Sequence, residues 1–317
     1  MPLATPFDGY KLLQMGVETL SEIESNGIHV DLSYAKDALE RVKARLEDSI
    51  EEFYETDLGD AWDTTYKWNM DIDSTEQLRH VVYNVMGAKV LKKTDSQLPS
   101  CDAEALRAMP IKGCAELINI RKLQKVANTY LKNIIAECHD GFLHPSFNLH
   151  LARTYRSSSQ DPNFQNLPIR DKEMGSIIRQ CLIPRKGHYF VEIDYSGVEV
   201  RIACCYHNDK TMKSYIKDPT KDMHQDMADQ IFILGQGEAS KDARYVAKNR
   251  YTFPTFYGSF SGLIAPDIWK GIDDLELKDP KGNDIRQHLK KNGISNQKDF
   301  LDHIKTIEDH FWDVRFP

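Results

Sequence analysis

HYFVEIDYSGVEVRIACCYH, residues 188–207, changes character in mid-course. From Tyr189 to Ile193 every residue except Glu192 is aromatic or β-branched, which predicts a strand ending at Asp194. Gly197 then opens a helix, VEVRIACCYH. A carboxylate at the carboxyl end of a strand is held rigidly over the crevice where sheet proteins bind ligands, and it suits a hard divalent cation such as magnesium. An Asp at a strand-to-helix turn can equally be a helix cap, and the segment alone does not choose.

Upstream the texture is helical. Ala35, Leu39, Val42, Leu46, Ile50 and Phe53 recur at steps of three or four, which predicts a long amphipathic helix over 31–55. A second helix is expected after Ser74, with Gln77 completing a capping box and Gly87 ending it. A third spans about 114–138, burying Leu117, Leu123, Val126, Tyr130, Leu131 and Ile134. These helices show no chemistry and read as scaffold.

Downstream, KDMHQDMADQIF reads as a helix start carrying His224. Arg244 and Lys248 are four apart, so on a helix they lie one above the other and could grip successive phosphates. Read blandly, such a pair is a solvated helix face. Tyr251, Phe253, Phe256 and Tyr257 follow beside Arg250, an aromatic run that suits either base stacking or core. Between the helical parts, RTYRSSSQDPNFQNLPIR sets Arg156, Gln165, Asn166 and Arg170 among turn residues. Such donors can reach the minor-groove acceptors that base pairs share, though a plain polar loop would look similar.

The totals constrain these readings. At 317 residues the chain has room for two or three domains. With 41% hydrophobic and 28% charged residues, its apolar runs are far shorter than the ~20 residues needed to span a bilayer, so no membrane partner is expected. The start MPLATPFDGYK lacks a secretory signature, which predicts a cytoplasmic protein. The six cysteines form no CxxC pair and are expected to be buried thiols. A net charge of −7 argues against nucleic acid as a partner, but Arg153, Arg156, Arg170, Lys172, Arg179, Arg185 and Lys186 cluster within 151–186 and allow a local basic surface.

Taken together the segments resemble family A DNA polymerases, the group of bacterial DNA polymerase I and many phage replicases. RTYRSSSQDPNFQNLP is similar to the family's TGRLSSxxPNLQNIP, VEIDYSGVEVRI to its motif A, DYSxxELR, KDMHQDMA to DIHxxTA, and RYVAKNRYTFPTFYG to motif B, RxxxKxxxFxxxYG. Four motifs fall in the family's order over 153–258, with weaker similarity before and after. The resemblance implies an α+β, mostly helical right-hand polymerase fragment: leader and thumb-like helices over 1–150, part of the palm with the metal-binding strand over 151–205, and incomplete fingers over 206–317.

Carried over residue by residue, it implies that Asp194 and the main-chain carbonyl of Tyr195 bind Mg2+ in a two-metal site, and that His224, Arg244 and Lys248 contact the triphosphate of a dNTP. Lys248 is then the proton donor to pyrophosphate. Glu199 excludes a ribose 2′-hydroxyl, Phe253 packs on the deoxyribose and Tyr257 stands near the template base. Arg156, Gln165, Asn166 and Arg170 face the primer–template DNA. No processivity factor is legible.

Two departures stand out. Lys248 and Phe253 are five apart where the family has four, with Pro254 following, which predicts a π-bulge or kink that keeps both side chains on one side. Tyr155 stands where the family commonly has Gly. The family's His-Asp-Glu triplet, bearing the second metal-binding aspartate, does not occur, so negligible polymerase activity is expected of this chain alone. The rival readings are a phage-type RNA polymerase relative, against which Glu199 argues, and a non-catalytic DNA-binding module.

Overall fold

The computed structural model describes residues 5–94, 96–169, 171–195 and 197–316, and in it the 31–55 periodicity becomes the helix Leu32–Tyr54. Asp31 starts that helix by accepting from the Tyr34 amide at 2.8 Å, and Ala35, Ala38, Val42 and Phe53 are buried along one face. The helix after Ser74 also forms: the Ser74 hydroxyl accepts from the Gln77 amide at 3.3 Å. Only half of the expected capping box is present. The Gln77 carboxamide instead accepts from Trp62 Nε1 at 3.0 Å and from the Asp71 amide at 2.9 Å, and donates to the Asn69 carbonyl. Gln77 is therefore the polar partner of a fully buried tryptophan, which outweighs a cap that water could replace.

The chain divides into two units, one running to Val191 and the other from Glu192 onward. In the first, Cys114–Gln124, a π-helical Lys125–Leu131 and Lys132–Glu137 make the expected third helix. One core gathers Phe53, Leu58, Trp62, Leu78, Leu106 and Leu117; a second gathers Val42, Leu123, Val126, Leu131, Leu143 and Ile178. Its strands are short and antiparallel. Ile28–His29 pairs with Phe142–Leu143, and Ser146–Asn148 pairs with Ser158–Gln160, Phe147 standing opposite Ser159. The fold is thus α+β and mostly helical.

The strand expected over 189–193 is absent. Residues 188–195 are irregular, and Tyr189 and Ile193 are 90% and 88% exposed. A strand needs a partner to take its amides and carbonyls, and none of the described strands supplies one. Asp194 therefore projects from an open segment rather than from a sheet edge. Cys205 is a further correction: it is exposed, whereas Cys101, Cys114, Cys181 and Cys204 are buried and Cys138 half-buried, all six free.

The second unit is built of helices: Val198–His207, Lys210–Lys217, Met223–Ile231, the composite 241–256, Ser261–Asp274, Ile285–Lys291 and Gln297–His310, the last extended by a π turn Phe311–Arg315. Met227, Ile231, Val246, Tyr251, Ile268, Phe300, Ile304 and Phe311 fill its core. None of the described helices is long and apolar enough to cross a membrane.

Candidate nucleotide site

Composite helix 241–256 decides where the cations point. Ser240 caps it, accepting from the Ala243 amide at 3.1 Å. Lys241–Val246 is α-helical, Ala247–Thr252 is a π-helix, and Phe253–Phe256 returns to α. The Phe253 amide donates to the Lys248 carbonyl, one residue further back than an α-helix allows. A π turn places residues five apart on the same side, so the extra residue between Lys248 and Phe253 is absorbed as the spacing predicts. The Lys248 ammonium accordingly sits over the Phe253 ring, 5.4 Å from its centroid.

His224 meets the same ring edge-on, centroids 5.6 Å apart. It stands in the first turn of Met223–Ile231, whose N-cap is Asp222. One carboxylate oxygen of Asp222 accepts from the His224 and Gln225 amides at 2.9 and 3.1 Å. The other accepts from Arg244 Nε at 2.7 Å. Burial pushes the Asp222 carboxyl up, but the Arg244 hydrogen bond, the Gln225 amide and the charges of Arg244 and His224 outweigh it and hold it below the ordinary carboxylate range.

These groups open onto one cleft of about 500 Å³, whose lining includes Asp194, Tyr195, Glu199, Arg201, Lys221, Asp222, His224, Arg244, Lys248 and Phe253. Seven residues chosen from sequence, Asp194, Tyr195, Glu199, His224, Arg244, Lys248 and Phe253, thus share a single concavity within the second unit. Four cations (Arg201, Lys221, Arg244, Lys248) face three carboxylates (Asp194, Glu199, Asp222), and Asp222 is already engaged by Arg244. The lining thus carries charges of both signs.

A larger cavity, about 700 Å³, is lined by Asp229, Ile233, Leu234, His303 and Ile307 among others, but its polar groups serve the chain itself. Asp229 accepts from the Gly237 and Ala239 amides at 2.6 and 2.8 Å, and His303 Nε2 pairs with the Ile231 carbonyl at 3.1 Å.

Other sequence-chosen residues lie elsewhere. Tyr257 ends the composite helix, exposed and outside the cleft lining. Arg156, Gln165 and Asn166 belong to the first unit. There Phe164–Asn166 forms a short 3-10 turn after the strand Ser158–Gln160; the Gln165 amide donates to Ser159 Oγ at 2.9 Å and its side chain to Ser157 Oγ at 2.7 Å. Tyr155 has φ +57°, the left-handed region that glycine adopts freely, which is the physical reason glycine suits that position. Arg170 lies outside the described residues. Asp222 was given no role by the sequence reading; its signal was an Asp two residues before a His at a helix start.

Burial pushes the His224 imidazole down to about 4, with the Arg244 charge adding to that, Asp222 opposing it and Lys248 adding again. The ring is neutral at pH 7, and its buried Nδ1 meets no hydrogen-bond partner among the described residues. Between pH 6.5, the ordinary value, and about 4 the unfolded chain takes up a proton that the folded one refuses. Stability is therefore full above that window and falls as the pH is lowered through it, by on the order of 2 kcal/mol for a partly exposed ring. His303 is lowered too, mainly by burial, so the measurement is the difference between wild type and His224→Gln in urea unfolding at pH 7 and pH 4.5. The variant is expected to lose less stability on acidification; equal losses would remove the assignment.

The fold is that of a polymerase domain. It superposes with a TM-score of 0.67 on the POL domain of Pol1 from M. smegmatis, solved in complex with DNA primer-template and dNTP, at 23% identity over 94% of this chain and 48% of that one. The chain belongs to DNA polymerase family A, whose model matches residues 36–270. Among its relatives, DNA polymerase I of Chloroflexus aurantiacus is 29% identical over 252 residues, 76% of this chain and 25% of that protein. DNA polymerase I of Pseudomonas aeruginosa is 31% identical over 214 residues, covering 66% and 23%, and DNA polymerase DpoZ of Vibrio phage phiVC8 is 25% identical over 285 residues, covering 84% and 43%. The chain thus spans about a quarter of the bacterial polymerases it matches.

Proposed function

We propose that the cleft of the second unit binds the dNTP of a DNA-directed DNA polymerase, which adds dNMP to a primer 3′ end in replication or repair. The observation that carries this is the convergence of Asp194, His224, Arg244 and Lys248 on one cleft, which the motif order alone does not require. Arg244 and Lys248 supply charge to the triphosphate, and Lys248 stands ready to protonate the departing pyrophosphate. His224, neutral at pH 7, supplies a hydrogen bond rather than a charge. Glu199, half-buried in the first turn of Val198–His207, takes the place from which a ribose 2′-hydroxyl is excluded, and Phe253 packs on the deoxyribose. Tyr257 adjoins the template base, while Arg156, Gln165 and Asn166 of the first unit follow the primer–template minor groove.

Magnesium fits this donor set in a limited sense. Among the described residues no three His, Cys, Asp or Glu side chains are grouped closely enough to hold a metal. A magnesium ion that arrives on phosphate oxygens needs only one or two protein carboxylates; Asp194 would supply one, and the Tyr195 main-chain carbonyl a neutral oxygen donor beside it. When bound, such ions activate the primer hydroxyl and neutralise charge on the phosphates. Primer extension by this chain alone is expected to stay at background, because among the described residues the cleft offers Asp194 no neighbouring aspartate that is not already engaged.

The test is equilibrium titration of the 317-residue chain with dATP and with ATP, each with and without magnesium. Saturable, magnesium-dependent binding with dATP tighter than ATP is expected. If nothing saturates by ~1 mM, about −4 kcal/mol, the cleft is not a nucleotide site; tighter ATP binding would favour the RNA polymerase relative.

A further inference from the structure

We propose that Asp222 is a positioning residue for the triphosphate-binding cations. This rests on the reading of the cleft as a triphosphate site and goes beyond it, because a carboxylate lining such a cleft should repel the ligand. Its bonding gives it a purpose. One oxygen holds the first turn of Met223–Ile231, which carries His224, and the other holds Arg244 on the composite helix. A single side chain thus ties together two helices, one bringing His224 and the other Arg244 and Lys248.

The choice of atom matters as well. Arg244 is gripped through Nε, which fixes the plane of the guanidinium. The two terminal nitrogens are then free of that grip and share a fixed orientation, the fork that matches phosphate oxygens. Arg244 is about one-third exposed, so without Asp222 its long side chain would sample many rotamers, and ordering it would fall to the ligand. Lys248, by contrast, is steadied by Phe253 and does not touch Asp222 in any described hydrogen bond or ion pair.

Asp222→Asn separates the two possible roles of this carboxylate. Asparagine caps helices as well as aspartate does, so its carbonyl can still receive the His224 and Gln225 amides. What it loses is the charge and the acceptor for Arg244 Nε, which meets an amide donor instead. If Asp222 acts only as a repelling charge, its removal tightens Mg2+–dATP binding. If it positions Arg244, binding weakens, by roughly tenfold, with the melting temperature little changed. Combining Asp222→Asn with Arg244→Ala should then weaken binding no further than Arg244→Ala alone, because there is nothing left to position.

Affinity that rises or stays level in Asp222→Asn while Arg244→Ala weakens binding would overturn the proposal and leave the nucleotide site intact. Strict additivity in the double variant would also overturn it. Wild type that fails to bind, or an Arg244→Ala variant that binds like wild type, would instead remove the triphosphate reading and the proposal with it. Should Asp222→Asn melt early, Asp222→Ser, which also caps but offers no carboxylate, is read against the same outcomes.

Discussion

Replacing Arg244 and Lys248 together with alanine is expected to weaken Mg2+–dATP binding by two to three orders of magnitude, roughly 3–4 kcal/mol, while the fold stays intact. A hydrogen bond to a charged group contributes about 1.5–3 kcal/mol, and the two side chains occupy successive turns of one helix, so in the proposed site each would meet a different phosphate. Both are half-buried, which limits competition from water and salt at the site. Their structural contributions are small by comparison. Lys248 loses a cation–π contact worth about 0.5–1 kcal/mol, and Arg244 loses one ion pair with a partner that is itself 40% exposed. A loss under about fivefold, with the circular dichroism unchanged, would mean that these cations form a solvated face rather than a phosphate grip.

The cleft that gathers these cations was only partly legible in the sequence. Periodicity gave the helix Leu32–Tyr54 and the helical character of 114–137, because local side-chain spacing determines which face is buried. The spacing of Lys248 and Phe253 even indicated the π turn, since two side chains that must lie on one side of a helix cannot be five apart on a regular α-helix. Tyr189–Ile193 shows the limit. Its residues favour a strand, yet strand formation depends on a partner that spacing within the segment cannot reveal. Gln77 shows another: its offset from Ser74 fits a capping box, but the buried Trp62 nitrogen competes for the same carboxamide and wins. Asp222 was hidden for a related reason. As a cap it is ordinary, and only the approach of the helix carrying Arg244, twenty-two residues on, gives its second oxygen a task.

Phe311→Ala is expected to have the opposite signature to the cation pair: a large loss of stability and little change in the affinity of molecules that remain folded. Phe311 is 1% exposed and meets Tyr251, Phe256, Trp312 and Phe316 with ring centroids 5.8, 5.6, 5.0 and 4.8 Å apart, all steeply tilted or edge-on. Truncating a buried phenylalanine costs about 3–5 kcal/mol, and the lost edge-on pairs place this site at the upper end. For a unit of this size the melting temperature should fall by roughly 10–20 °C. Tyr251 and Phe256 lie on the composite helix itself, so Phe311 supports the inner side of the element whose outer side presents Arg244, Lys248 and Phe253. A cavity on the inner side leaves the cap at Ser240 and the Asp222–Arg244 pair untouched, and with them the geometry of the cleft. Well below the transition, dATP affinity should therefore stay within about threefold of wild type, less than 1 kcal/mol. If Phe311→Ala instead abolished binding at a temperature where it is still folded, the aromatic cluster would be setting the cleft's shape, and stability and recognition in this unit could not be treated as separable.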